Sequence, residues 1–377
     1  MSATRRVAIL GPAPPDRGGI ARETALLAAE LSGRADVAWY TYSRRYPRWL
    51  DPRRFDEDPG LPPAAARPVL DYRSPASWKR TAEAIASEKA GSLLIPWWTA
   101  FWGLPYRAVL RRLSTLAPAM RRILVCHNVE DHEGGLTRRF LARGALLSAD
   151  GFVVHSSDDR DRLARIRPGA PVLFLPHPVR PGPAPDRHGA RRRLGLPDGP
   201  LLLFLGLVRR YKGVELLLDA APAIVRETGA SIAVVGEVFP DARDLAKRSR
   251  LSPVGDRIFW NDAYVPEEDL ALWLAACDAV VLPYRAISGS GIAARALAAG
   301  RPMVAAAVGG LKAAVVPGVT GERFSPGDAA GLAAAAKTAL TRGSAFYADG
   351  LLAAAAAASW PRYADALLEF VGADREA

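Results

Sequence analysis

Three cations in four residues, Arg209, Arg210 and Lys212, follow the apolar run of LLFLGLVRRYKGVELLLDAA (residues 202–221). Like charges crowded in this way repel one another and need an anion, or open solvent, to be tolerated. Gly206 closes the run, Arg209 and Lys212 follow on a loop, and Gly213 opens a segment with the Leu and Val spacing of an amphipathic helix. A guanidinium, an ammonium and the free amides of a helix start together suit a diphosphate. A solvated charge run is the plain alternative, but it leaves the bracketing glycines unexplained.

Other stretches repeat the theme of a glycine at a helix start. LGPAPPDRGGIARETALL places Gly18 and Gly19 after a strand, where the backbone can approach a ligand; an ordinary tight turn is the competing reading. The spacing is not GxGxxG, so a dinucleotide fingerprint is not supported. Ser288 to Gly291, and Gly309 with Gly310, lie between a strand and a helix in the same way. In VCHNVEDHEGG, His127, His132 and Glu133 directly follow a strand, where a neutral imidazole can accept a proton or hydrogen-bond a sugar hydroxyl. A structural histidine pair is the alternative there, and His155 and His177, which also end apolar runs, read equally as structural. The histidine spacing lacks the i, i+4 pattern of a helical zinc site, so no metal site is expected. PWWTAFWGLPY gathers Trp97, Trp98, Phe101 and Trp102, rings that stack on a sugar, sit at a membrane interface or pack a core. The nearest downstream cation is Arg107, unlike a nucleic-acid surface, which interleaves rings with basic residues.

The elements that must carry these residues alternate along the chain. RRVAILG, DVAWYTY, SLLIP, RRILVCH, GFVVHS and VLFLPHP read as strands, with helices predicted over 18–32, 103–116 and 137–147. PLLLFLG, SIAVVGE, RIFWND, DAVVLPY and PMVAAA form a second series, with helices from about 213, near 240–250, at 266–276 and around 290–299. Near-continuous apolar strands alternating with helices indicate parallel sheets covered on both faces. Residues 180–199, rich in Pro and Gly and without apolar periodicity, read as a linker. The expected architecture is therefore α/β, with two doubly wound Rossmann-like domains, 1–179 and 200–350, facing a cleft at the carboxyl ends of their sheets. An Ala-rich helical segment, 351–377, follows.

Composition bounds the rest. With 377 residues, half of them hydrophobic, the chain is long enough for two cores. The short apolar run near the start is broken by Gly and Pro and reads as a first strand rather than a signal peptide. No stretch reaches the roughly 18–20 uninterrupted apolar residues of a membrane span. Cys126 and Cys277 are far apart and offer neither a disulfide scaffold nor a CxxC metal site, so the cytosol is the expected compartment. Charge is uneven: residues 1–178 hold 27 Lys and Arg against 18 Asp and Glu, the remainder 23 against 21. An anionic partner of the first half, or simply an Arg-rich composition, accounts for this.

Taken together these motifs resemble the GT-B glycosyltransferases, in detail the retaining family 4 enzymes, over nearly the whole chain. The first glycine pair, YKG, VVGE, YVPEEDLALWLAACDAVVLPYR, ALAAGRPMVA, VGG and GVTGERFSPGD occur in that family's order, HNVEDHE and VVHS resemble a subgroup, and Trp360 lies in a helix resembling the one that crosses back to the first domain. The resemblance implies a nucleoside-diphosphate sugar as donor substrate, no cofactor and no metal. It implies a catalytic set of His127, Arg209 and Lys212, with Arg209 standing where the family has an arginine two positions earlier. Donor contacts fall on Gly19, Gly206, Gly213, Glu237, Ser288, Ser290, Gly291, Gly309 and Gly310, and acceptor-side contacts on His132, Glu133, Trp97 and Trp98. One departure stands out: the family's E-x7-E glutamates fall on Ile287 and Arg295, and a further one near Ala313. Ser288, Ser290 and backbone amides are expected to take over, with Arg295 pairing a phosphate or Glu322.

The expected activity is retaining transfer of a hexose to a hydroxyl of a saccharide or lipid-linked acceptor, in polysaccharide or glycoconjugate biosynthesis. A polyprenyl-linked saccharide and an anionic membrane surface are expected partners, nucleic acid is not, and the protein is expected in the cytoplasm, peripheral at the inner face of the membrane. The competing reading is a catalytically degenerate GT-B protein that binds a nucleotide sugar or glycan as a partner or regulator.

Overall fold

The computed structural model describes residues 5–16, 18–47, 64–129, 135–180, 182 and 185–373, with the backbone alone at 267 and 268. They form two compact units, one of residues 1–175 with 360–377 and one of residues 176–359.

The first unit is built on β1 (Arg6–Leu10), β2 (Asp36–Arg44), β3 (Arg67–Asp71), β4 (Ser92–Trp97), β5 (Arg121–Cys126), β6 (Gly151–Val154) and β7 (Val172–Phe174). All are parallel, in the order β3-β2-β1-β4-β5-β6-β7. Alternate residues of the central strands feed two cores, because successive side chains of a strand leave opposite faces. Ala8, Leu10, Leu93 and Ile95 pack with the helices Pro75–Ser87, Gly103–Leu116 and Leu136–Leu146. Val7, Ile9 and Leu94 pack with Leu27 of the helix Gly19–Ser32 and with Trp360, Tyr363 and Leu367 of the helix Trp360–Gly372. Apolar residues on both faces are what make these strands read as unbroken hydrophobic runs.

The second unit holds β8 (Leu201–Leu205), β9 (Ser231–Val235), β10 (Ile258–Asn261), β11 (Ala279–Leu282), β12 (Met303–Ala306) and β13 (Gly321–Phe324), parallel and in the order β10-β9-β8-β11-β12-β13. Each sheet grows outward from its first strand and then restarts on the other side, so each has a switch point, between β1 and β4 and between β8 and β11. Loops leaving the strand ends diverge there, and ligands of doubly wound folds bind in the gap.

Two strands are absent from the sequence reading, and both are edges. β3 carries Pro68, which an edge strand tolerates because its missing N–H leaves no ladder bond broken. β13 is the short, half-polar GERF, with only Gly321 and Phe324 buried.

The domain boundaries require correction. Residues 180–199 are not merely a linker: Arg187–Leu194 is a helix, capped by Asp186 accepting from Gly189 N (2.6 Å) and ended by Gly195 in the left-handed region. It escapes a periodicity test because it buries Ala190 and an arginine rather than an apolar stripe. The Arg191 guanidinium donates to the carbonyls of Ala276 (2.9 Å) and Gly199 (2.6 Å) and meets Asp278 at 3.0 Å, fastening the segment to the second unit. Nor is 351–377 one crossing helix. The helix Ala348–Ala357 stays with the second unit, where Leu351 and Ala355 pack on Tyr347, and only Trp360–Gly372 joins the first.

Candidate functional site

In the second unit the loops after β8 and β11 meet at the switch point. After Gly206 (φ 114°) the chain makes a 3-10 turn, Arg210–Lys212, and enters the helix Val214–Thr228 through Gly213 (φ 67°). A Cβ on Gly213 would lie 1.9 Å from the Pro283 carbonyl oxygen, so this glycine is required by packing against the β11 loop. Arg285 N donates to the Tyr211 carbonyl (2.8 Å), and the Lys212 ammonium lies 5.2 Å from the centroid of the Tyr284 ring. The loop after β9 joins them: Val208 N donates to the Glu237 carbonyl (2.9 Å), and a Cβ on Gly236 would stand 2.3 Å from the Gly206 carbonyl oxygen.

The remaining predicted donor contacts, Gly19 of the first unit apart, follow β11 and β12 on the same sheet edge. Ser290 caps the helix Gly291–Ala298, its hydroxyl oxygen accepting from Ala293 N (3.2 Å). Gly310 N donates to the Ser288 carbonyl (2.8 Å), and Gly309 (φ 45°) passes so close that a Cβ would reach 1.5 Å from the Ile287 carbonyl oxygen. The structure thus brings Gly206, Lys212, Gly213, Glu237, Ser288, Ser290, Gly291, Gly309 and Gly310 to one edge of one sheet. Ser288 and Ser290 are both buried, and Ser290 can cap with its oxygen while its hydroxyl proton still donates.

The three crowded cations divide their work. Arg210 is exposed and turned to acids, donating to Asp244 (2.6 Å) and to the Asp241 carbonyl (2.6 Å). Arg209 lies over the Phe239 ring at 4.9 Å from its centroid, with Asp241 at 3.9 Å. Lys212 is half-buried, and desolvation, followed by the repulsion of Arg209, holds its ammonium down at about 8. An anion arriving here would remove that repulsion and complete the dehydrated charge.

Sequence reasoning missed Glu215. It sits in the first turn of the helix Val214–Thr228, buried, with the Arg285 guanidinium at 2.5 Å, and a carboxylate at that end suits the helix dipole. It does not replace the absent glutamates, since its charge is already met by Arg285. Glu322, one partner proposed for Arg295, is engaged by Arg342 (2.6 Å) and the Tyr347 hydroxyl (2.8 Å).

In the first unit Gly18 (φ 131°) and Gly19 open the helix Gly19–Ser32, and a Cβ on either would meet nothing within 4 Å. Their backbone is open, in contrast to Gly213. Glu23, one turn into that helix, places its carboxylate 3.2 Å from His127 Nδ1, while His127 N donates to the Trp97 carbonyl (2.8 Å) just beyond β4 and β5. A carboxylate on Nδ1 fixes the imidazole tautomer and orientation. No sequence rule pairs residues so far apart; only the adjacency of β1, β4 and β5 does. His155 takes the structural reading, with Nδ1 at the Leu175 carbonyl (3.0 Å) and its ring stacked on Tyr363. Burial lowers His177 to about 4, so it is neutral at neutral pH. His132 and Glu133 lie outside the described residues.

Trp97 is a correction. It is 1% exposed, inside the core with Tyr106, and its indole N–H is aimed at the Val129 carbonyl, so it presents no face to an acceptor. Trp98 is half-buried, donating to the Tyr46 hydroxyl (3.1 Å), and Trp102 is stacked on Tyr42 in the same aromatic cluster. Cys126 and Cys277 are free, buried thiols. Among the described residues no helix is long and apolar enough to cross a membrane.

Comparison with known proteins bears on this arrangement. Residues 199–342 match the family model described as Glycosyl transferases group 1. A D-inositol 3-phosphate glycosyltransferase of Catenulispora acidiphila is 35% identical over 193 residues, 47% of this chain and 45% of that protein. One from Frankia alni is 34% identical over 240 residues, 58% of this chain and 56% of that protein. The chain thus spans about half the length of the curated relatives it matches. Among solved structures, Anabaena HepE in complex with UDP and glucose superposes with a TM-score of 0.75 at 16% identity, covering 98% of this chain and 100% of that one. Sucrose-phosphate synthase from Thermosynechococcus elongatus gives 0.73 at 21% identity, covering 96% and 97%. The match to the group 1 glycosyl transferases is thus confined to residues 199–342, in a chain whose two parallel sheets have the GT-B fold of these solved structures.

Proposed function

We propose that this protein is a retaining glycosyltransferase that moves a hexose from a nucleoside-diphosphate sugar to a hydroxyl of a saccharide or lipid-linked acceptor. The observation that carries the reading is the knot of Gly206, Arg209, Lys212 and the Val214–Thr228 helix start at the β8/β11 switch point, inside the segment that matches the glycosyl transferase family. As the bond between the anomeric carbon and the diphosphate breaks, the electron pair leaves with the phosphate oxygen. Negative charge grows there, and preorganised cations and helix amides stabilise it more than they stabilise the intact donor. Arg209 and Lys212 supply the charge, and the dehydrated setting of Lys212 strengthens its effect. On the other unit His127, oriented by Glu23 at Nδ1 and lying beside His155 and His177, is the group this reading assigns to a sugar hydroxyl. The names of the relatives, and the UDP and glucose held by HepE, support a nucleotide sugar as the donor class. No metal and no cofactor enter this reading.

Thermal shift with UDP, GDP, ADP and dTDP tests it. A nucleotide at 100 times its dissociation constant stabilises the protein by about 2.7 kcal/mol. One nucleotide is expected to shift the wild type and to lose its effect in Lys212→Ala. A shift that survives in Lys212→Ala, or no shift with any nucleotide, overturns the assignment of this site.

A further inference from the structure

The helix Leu136–Leu146 is inverted with respect to its own hydrophobicity. Ala142, Ala145 and Leu146 face the core, while Leu136 is 83% exposed and Phe140 70% exposed. Leu136, Phe140, Arg143 and Leu147 recur at i, i+4, i+7 and i+11, which places them on one stripe opposite the buried residues. Leu147 is 46% exposed. The helix Gly103–Leu116 packs directly against this one, Gly103 so close to the Leu141 backbone that a Cβ would lie 2.4 Å from the carbonyl oxygen. Scattered exposed leucines need no explanation, but an apolar stripe crowned by Phe on one helix does.

The charge around the stripe selects what covers it. The helices Gly103–Leu116 and Leu136–Leu146 carry six arginines and no carboxylate. Arg143 stands exposed within the stripe and Arg139 exposed beside it, and the Arg107 side chain reaches the helix at Gly144. A protein partner or a second copy of the chain would have to meet these guanidinium groups with acids of its own. An anionic bilayer meets both features at once, taking Leu and Phe side chains below the headgroups while arginines stay at the phosphates.

We infer that the outer face of the helix Leu136–Leu146 is a docking surface for an anionic phospholipid membrane. This deepens the reading of a lipid-linked acceptor and rests on it for its purpose, whereas the docking itself is independent of donor chemistry.

The test is co-sedimentation of the full chain with vesicles of phosphatidylcholine, with and without about one-third phosphatidylglycerol, at about 0.05 M and 0.5 M salt. Binding is expected on the anionic vesicles alone, weakened by salt. The variant Leu136→Gln/Phe140→Gln changes only exposed side chains, so it keeps the fold. It is expected to lower the partition coefficient at least about tenfold, while its thermal shift with nucleotide stays that of the wild type. Arg139→Gln/Arg143→Gln is expected to reduce binding at low salt and little at high salt. Wild-type protein that ignores anionic vesicles, or a Leu136→Gln/Phe140→Gln variant that binds them as well as wild type, overturns the inference. So does a homodimer, seen without vesicles by sedimentation velocity, that this variant abolishes. Failure of the nucleotide shift would instead strike the donor site and leave the vesicle result standing.

Discussion

Lys212 gives the sharpest handle on the proposed donor site, because its ammonium is held at about 8 rather than at 10.5, by desolvation first and by Arg209 second. A diphosphate must find the protonated form, and once bound it keeps the proton on. In the free protein about nine-tenths of the lysine is charged at pH 7 and about one-tenth at pH 9, so the affinity for a nucleotide sugar is expected to fall about tenfold between them. The direction is opposite to that of a carboxylate: binding is strongest below pH 8 and weakens as the lysine loses its proton. The free protein responds inversely, gaining stability between about 8 and 10.5, where native Lys212 has released a proton that the unfolded chain still holds. Isothermal titration in buffers of different ionisation enthalpy measures both affinity and proton uptake, the latter approaching one proton near pH 9. Lys212→Met keeps the packing against Tyr284, removes about 1.5–3 kcal/mol of charge-assisted bonding and flattens the profile. An equal pH dependence in wild type and Lys212→Met would show that the titrating group lies elsewhere and would refute the argument.

The glycines separate packing from ligand approach. Gly213→Ala forces a Cβ into the Pro283 carbonyl and is expected to cost more than about 3 kcal/mol in urea unfolding, whereas Gly19→Ala, with open space around it, should leave stability within about 0.5 kcal/mol. Any loss of ligand affinity in Gly19→Ala then reports a close-approaching ligand. Ser290→Ala removes a helix cap and should cost about 1 kcal/mol, and Ser290→Gly only a few tenths. Combined with Ser288→Ala it should also weaken donor binding in the nucleotide titration; unchanged binding would return the two serines to a structural role.

What the sequence disclosed depended on locality. Continuous runs such as LLLFL and SIAVV declare buried parallel strands, because helices on both faces leave no polar side to alternate. The shared edge was legible for the same reason: Gly206, Lys212, Ser290 and Gly309 each lie on a loop leaving a strand, and a doubly wound sheet brings those loops together. Pairings that only tertiary structure creates were not legible. Glu23 meets His127 through the neighbouring positions of β1, β4 and β5, and Glu215, in the first turn of its helix, meets Arg285 on the loop after β11. Trp97 misled for a complementary reason. An aromatic cluster reads alike whether it faces a sugar or a core, and β4 carries this one at its last, inward-facing residue. The helix Arg187–Leu194 shows the limit of periodicity, since what it buries is a guanidinium satisfied by carbonyls.

The first unit is discontinuous, closed by a helix that lies 184 residues beyond its other segment. During synthesis its sheet leaves the ribosome with the face that bears Val7, Ile9, Leu94 and Ile123 covered only in part, by Leu27 and Leu31 of the helix Gly19–Ser32, because Trp360, Tyr363 and Leu367 do not yet exist. At about 5–20 residues per second the wait is on the order of 10–40 s. Throughout that interval the second unit, contiguous in the chain, can mature alone, while the first must be shielded from aggregation. The first unit is therefore completed only when the helix Trp360–Gly372 arrives, and a chain cut short after Ser359 would leave the earlier-made unit open on that face.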